Sequence, residues 1–261
     1  MGPAAKAAGY RLDIFDTLGS THDEAMARAR AGDPGDLWIV AHEQTAGRGR
    51  MARPWSSPRG NLYASLLLID PSPVANAPQL GFAAGIALAD AVNVHLPSGA
   101  ARLKWPNDLL VNGAKLAGLL IEATTLADGR FACAIGFGVN CASHPEDLPY
   151  AATSLAANNG ATDPAVLFHT LSDAFPLWRD QWARGDGFAS TRTAWLDRAL
   201  PAGAPLRVRA GDAISEGLFS TIDEQGRLVL DCGGNVRTFD AGDVFPAAGA
   251  IGRNVYSGAK Q

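Results

Sequence analysis

No CxxC pair, no even set of cysteines and no long apolar run occurs in this sequence, and each absence removes a class of protein. The three cysteines, Cys133, Cys141 and Cys232, are too scattered for a disulfide framework and fit a reducing compartment. Apolar stretches are broken by Gly, Asp or Pro well before the ~18 residues a membrane span needs, so no membrane association is expected. The start, MGPAAKAAGYRLDIF, has no apolar core long enough for a signal peptide. Lys6 stands where the N-myristoylation pattern wants Ser or Thr. Together these absences predict a soluble, cytoplasmic protein. Positive charge is also in deficit: 22 Lys and Arg against 26 Asp and Glu leave a net charge of -4 and a pI near 5.7. Such a chain has no general pull toward nucleic acid, so any cationic site must be local.

Lysine is rarer still. Of the 22 basic residues only four are Lys: Lys6, Lys104, Lys115 and Lys260. Two lie near the termini and two in mid-chain. Against an Arg-rich background, Lys104 and Lys115 point to positions where a compact, mobile point charge is wanted, unless codon bias alone placed them.

What is present is 47% hydrophobic residues with 18% charged, the balance of a folded globular chain. A helix is predicted from Thr21, as N-cap with Glu24 in a capping box, to Gly32 as the C′ residue. Strands are predicted over 37–43 and 61–69, and a buried helix over 78–96. Asn112-Gly113 between apolar, β-prone runs signals a type I′ hairpin. A further strand spans 131–140, and helices follow over 163–185, with Pro164 in the first turn, and 187–198. After Pro201 short β runs alternate with Gly and Asp turns, which reads as a small β-barrel behind a mixed α/β domain.

Three constellations carry chemistry. In AHEQTAGRGRMARPW (41–55), Gly47 and Gly49 let backbone N–H groups approach an anion, and Arg48, Arg50 and Arg53 can grip phosphate or carboxylate. The run is neither a P-loop nor a dinucleotide fingerprint. A solvated surface loop and a nucleic-acid contact are the competing readings, and Trp55 fits either base stacking or the core. In KWPNDLLVNGAKLAG (104–118), Pro106 forces Trp105 toward extended geometry, so that Asn107 and Asp108 emerge at a turn, which they could simply cap. Lys115 lies in an apolar strand near Gly118, facing solvent or a pocket. In AIGFGVN (134–140), glycines within a strand mark either a bulge or the close approach of a ligand.

Ser20-Thr21, EQTAGRGR (43–50), KWPND (104–108), KLAGLLIE (115–122) and IGFGVN (135–140), in this order over about residues 12–245, resemble biotin protein ligases. The resemblance implies an α+β fold: a mixed β-sheet flanked by helices over 1–199, then an SH3-like β-barrel over 200–261. It implies adenylation of biotin by ATP with Mg²⁺, then transfer to a lysine of the biotin carboxyl carrier protein of acetyl-CoA carboxylase. By resemblance, Ser20, Thr21, His22, Gln44, Gly47, Arg48, Lys115, Gly118 and Gly136 bind biotin, and Arg50, Arg53, Trp55, Asn107 and Asn140 bind the nucleotide. Lys115, Arg48 and Arg50 stabilise charge at the reacting phosphate. Asp108 orients or deprotonates the acceptor lysine, or contacts Mg²⁺; the Mg²⁺ ligands are otherwise unassigned. The arginine loop would offset anion repulsion of about 4 kcal/mol per charge pair at close range.

Two departures stand out. His22 replaces a small polar residue that is usually Asn, and Met51-Ala52 replaces the Arg-Gly of GRGRRGR, which should stiffen the loop slightly. Fewer than 20 residues precede Ser20, whereas a self-standing domain needs roughly 40 to 60, so a monofunctional ligase without a DNA-binding domain is expected, as monomer or homodimer. The rival activity is ligation of lipoate or octanoate. A nucleic-acid-binding module is the rival from another class.

Overall fold

The computed structural model describes residues 1–97 and 100–246. Seven strands form one sheet: β1 (Arg11–Leu18), β2 (Leu37–Gln44), β3 (Leu62–Ile69), β4 (Ala101–Lys104), β5 (Asp108–Val111), β6 (Ala114–Thr125) and β7 (Phe131–Val139), in the order β1-β2-β3-β7-β6-β5-β4. Only β1 and β2 run parallel. A parallel pair needs a crossover, supplied here by α2 (Thr21–Arg30) after the short α1 (Pro3–Ala7). The sheet is therefore mixed, as expected.

Alternation along each strand divides the residues between two faces. Trp38, Leu66, Leu68, Ile135 and Phe137 point to one face, against α3 (Leu80–His95), α4 (Pro164–Trp182) and α5 (Phe188–Arg198). Trp38 anchors this layer, its ring centroid 5.3 Å from that of Phe168 and 5.4 Å from that of Phe137. The α3 helix is buried on nearly every side, which its almost unbroken apolar sequence permits. None of the described helices is long and apolar enough to cross a membrane.

The opposite face is covered over only part of its length. Ala25, Met26 and Ala29 of α2 pack on Leu37, Ile39, Leu67, Ala132 and Ala134. Two residues further along the same face of β3, β6 and β7 stand Ser65, Gly136, Gly138 and Gly118, which are paired neighbours across the sheet. With almost no side chain there, the sheet offers a floor instead of a core.

The Asn112-Gly113 turn has φ of 52° and 80°, both positive as a type I′ hairpin requires. The cap of α2 differs from expectation. Ser20, not Thr21, is the N-cap, accepting from Asp23 N at 3.2 Å, and Glu24 pairs instead with Arg28 at 2.7 Å. Thr21 is thereby freed to turn its hydroxyl toward Ser65 at 2.8 Å. Strand β1 and helix α1 carry no strong apolar periodicity and were not expected.

Five strands follow in a second, antiparallel sheet: β8 (Pro205–Ala210), β9 (Ala213–Ile222), β10 (Leu228–Asp231), β11 (Val236–Phe239) and β12 (Asp243–Pro246), in the order β11-β10-β9-β8-β12. Its end strands, β11 and β12, form no ladder with each other among the described residues, so the expected barrel is seen there as an open sheet. Leu206, Val208, Phe219 and Leu230 continue the main hydrophobic core. Across the junction Trp105 Nε1 donates to Gly226 O at 2.9 Å, and Arg192 Nε to Ile222 O at 2.7 Å.

Candidate active site

The glycine floor is the base of a cavity of about 560 Å³. Its walls come from the start of α2, the loop after β2, the β4–β5 turn, the start of β6 and strands β8 and β12. Of the residues expected at the site, Ser20, Thr21, His22, Gln44, Arg48, Arg50, Arg53, Trp55, Asn107, Asp108, Lys115, Gly118 and Gly136 line it. Gly47 and Asn140 do not. A Cβ at Gly47 would stand 2.5 Å from Ser57 Oγ and 2.7 Å from Trp55 O, so this glycine lets the loop fold back on itself. Asn140 is buried beyond the floor, where its amide donates to Thr153 O at 3.0 Å and ties down the segment after β7.

One end of the cavity is a neutral polar relay. Thr21 donates through N and Oγ1 to Gln44 Oε1 at 2.9 and 3.1 Å, and Gln44 Nε2 donates to Ser57 Oγ at 3.0 Å. His22 is buried beside it, with Nε2 3.2 Å from Glu122 Oε2. Burial holds the His22 pKa below the ordinary imidazole value; Glu122 opposes that shift and Arg48 adds to it. The ring is neutral at pH 7.

Lys115 occupies the middle. Leu109 pairs with Ala117 but Leu110 with Lys115, so Leu116 is the extra residue of a β-bulge. A regular strand would turn Lys115 to the helix-covered face with Ala117 and Leu119. The bulge re-aims it into the cavity. There its Nζ sits 2.7 Å from Asp108 Oδ1, 5.3 Å from the Trp55 ring centroid and 5.6 Å from that of Tyr150. Asp108 is buried, and its other oxygen lies 2.8 Å from Lys104 Nζ, which the β4–β5 register places directly opposite. Burial pushes the Asp108 carboxyl pKa up, but the two ammonium groups outweigh it and hold it at about 2.

Arg48 stands beside His22, chelating Glu122 with Nη2 to Oε2 at 2.8 Å and reaching Asp23 at 2.7 Å. The other end is cationic through Arg50 and Arg53. Arg50 donates to Gly242 O at 3.2 Å. Arg53 pairs with Asp243, which also accepts from Arg209 at 3.2 Å. Met51 and Ala52 hold φ of 56° and 55°. The left-handed region favours Gly, and Ala52 is where a Gly is usual in the resembled loop. Trp55 lies flat on the floor: a Cβ at Gly138 would be 2.7 Å from its ring, and one at Gly118 3.3 Å.

Sequence reasoning missed Ser65, Gly138, Lys104, Glu122, Tyr150, Arg209 and Asp243 as participants. Gly138 and Glu122 lie inside motifs already singled out, and scarcity already marked Lys104. Tyr150, Arg209 and Asp243 arrive through long-range contacts that leave no local signal.

Residues 21–140 match the Biotin/lipoate A/B protein ligase family, and residues 203–245 match the Biotin protein ligase C terminal domain. The chain is 39% identical over 233 residues to a biotin–[acetyl-CoA-carboxylase] ligase of Paracoccus denitrificans, covering 87% of this chain and 96% of that protein. Its fold is similar to that of the Aquifex aeolicus biotin protein ligase in complex with biotin and ATP, at 21% identity and a TM-score of 0.76, covering 91% of this chain and 99% of that one. The Leishmania major biotin protein ligase in complex with biotinyl-5-AMP aligns at 25% identity and a TM-score of 0.56, covering 88% and 99%. On matched domains, identity and coverage alike, the chain belongs to the biotin protein ligase family.

Proposed function

We propose that the chain adenylates biotin with ATP and transfers the biotinyl group to a lysine of the biotin carboxyl carrier protein of acetyl-CoA carboxylase. The observation that carries this reading is Lys115, an ammonium fixed between a neutral polar pocket and an arginine cluster. A carboxylate held by its ring system at one end and a triphosphate gripped at the other would meet there. A carboxylate oxygen of biotin attacks the α-phosphorus and pyrophosphate departs. The carrier lysine's amine then attacks the acyl carbonyl of the mixed anhydride, and AMP departs.

Ser20, Thr21 and Gln44 hold the ring system of biotin, above Gly136. Lys115 faces the negative charge that grows on the α-phosphate in the transition state, where a preorganised cation counts most. Arg48, Arg50 and Arg53 offset phosphate charge, and Trp55 stacks the adenine beside Asn107. Gly47 and Asn140 act through the loops they shape. A carboxyl held at about 2 is a weak base toward an ammonium near 10.4, so the part of Asp108 is to anchor Lys115 with Lys104. No group of three His, Cys, Asp or Glu that could hold a metal occurs among the described residues. Mg²⁺ enters the reading as the counter-ion that ATP brings on its own phosphates, with no protein ligand assigned. The unit that begins at residue 200 closes the nucleotide end in it through β12; the part of the expected domain from 247 to 261 lies outside the described residues.

The test is transfer to a purified carrier domain. With ATP, the protein should attach biotin to the carrier's acceptor lysine, detected by streptavidin, and leave a Lys→Arg carrier unlabelled. Transfer of lipoate or octanoate in place of biotin would establish the rival activity instead.

A further inference from the structure

The tip of the arginine loop carries a thioether to which the ligase reading gives no part. Gly49 N donates to Arg53 O at 2.8 Å and Arg48 bridges to Pro54, so residues 50–52 form the tip of a tight hairpin. Met51 stands there 75% exposed, where the resembled loop usually has Arg. With the backbone left-handed at Met51 and Ala52, the side chain doubles back, and Arg53 Nη2 donates to Met51 Sδ at 3.6 Å. The same guanidinium chelates Asp243 of β12 on the cavity wall, with Nη1 to Oδ1 at 3.1 Å.

Oxidation of a thioether follows access to its sulfur. Of the chain's three methionines, Met26 is 6% exposed in the packing under α2, and Met1 is half-buried against the main core. The cysteines compete poorly. Burial pushes the thiols of Cys133 and Cys141 up to about 12, which removes the thiolate form that reacts with peroxide, and Cys232 is half-buried. The exposed sulfur is therefore the one beside a phosphate-facing arginine.

We propose that Met51 is a reversible oxidation site that sets the affinity of the nucleotide end, with a hydroperoxide as its oxidant. This rests on the biotin-ligase reading, in which Arg53 offsets phosphate charge. A sulfur lone pair attacks the distal oxygen of the peroxide and the O–O bond breaks. The other oxygen leaves as water or an alcohol, taking up the proton of the first. Sulfur loses two electrons, the peroxide gains them, and the product is methionine sulfoxide. A thioether is a weak acceptor, whereas the sulfoxide oxygen is polar and strong, and on a sulfur already beside Nη2 it reaches the Arg53 fork. The guanidinium is then tied to the loop tip and no longer passes from Asp243 to phosphate. Methionine sulfoxide reductase restores the thioether.

Pyrophosphate exchange by the full-length protein, before and after limited hydrogen peroxide, tests this alongside peptide mass spectrometry. Met51 should gain one oxygen before Met1 and Met26 do. The KM for ATP should then rise about 10-fold, the loss of roughly one hydrogen bond to phosphate, with kcat and the KM for biotin little changed. Reductase should reverse the rise. Met51→Leu should match reduced wild type and ignore peroxide, and Met51→Gln, whose carbonyl stands in for the sulfoxide oxygen, should show the raised KM without peroxide. Earlier oxidation of Met1 or Met26, an oxidised Met51 with an unchanged KM for ATP, an equal rise in both KM values, or a peroxide effect that survives in Met51→Leu and disappears in Cys232→Ser would each overturn the proposal. Reduced wild type that exchanges no pyrophosphate would overturn the ligase reading instead, and the mass spectra would still report the selectivity of Met51.

Discussion

At the scale of single residues the site is organised by Asp108. Its two oxygens hold Lys104 at 2.8 Å and Lys115 at 2.7 Å, so the carboxylate sets where the reacting cation stands. Replacing Asp108 by Asn leaves two buried ammonium groups facing each other without a counter-charge, and should destabilise the fold by about 3 kcal/mol in urea unfolding. The pH dependence follows from the direction of the shift. The folded pKa is depressed from 3.8 to about 2, so the contribution of Asp108 is fully present above the unfolded value and is lost as pH falls through the folded one. Wild-type stability should therefore decline by about 2 kcal/mol between about pH 4 and pH 2 on this account, and that component should vanish in Asp108→Asn. Sequence alone pointed to Asp108 and Lys115 as neighbours of the chemistry. It could not show Lys104 as the third member, because that contact depends on the β4–β5 register that sets Lys104 opposite Asp108.

Elements turn these residues inward. The apolar run LAGLLIE reads as a strand, and its glycine suggests a close approach, but the bulge at Leu116 is invisible without the pairing partner. The long helices and the Asn-Gly hairpin were legible because their signals are local and periodic. The N-cap moved by one residue because Ser20 and Thr21 can both cap, Ser the better of the two, and Thr21 is taken up by tertiary bonds to Gln44 and Ser65. Glycine in β7 is required by Trp55. Gly138→Ala should lift the indole from the floor, since the added methyl would lie 2.7 Å from the ring. If Trp55 stacks the adenine, ATP affinity should then fall about 10-fold or more, while biotin binding, at the far end of the cavity, changes little. Titration with each ligand separately checks this, and an equal loss of both would place Trp55 at neither end.

Over the whole molecule, the two sheets share one core and one cavity. Arg50 and Arg53 of the first unit are held by Gly242 and Asp243 at the edge of the second, and Lys104 donates to Val244 O. Ending the chain at Ala199 would remove Leu206, Val208, Phe219 and Leu230 from the core and free both arginines. Such a protein should unfold at lower urea and lose ATP-dependent activity, and a truncated chain of full activity would refute the shared site. This long-range closure was the least legible part of the sequence, where a separate β unit could be read but not where it docks. The most direct test of the central claim is biotin-dependent exchange of labelled pyrophosphate into ATP. Wild type should exchange with biotin and not with lipoate, and Lys115→Ala should be slower by about 10²- to 10³-fold, the usual loss for a preorganised charge facing a transition state. Exchange with lipoate alone, or a Lys115→Ala enzyme as fast as wild type, would contradict the account.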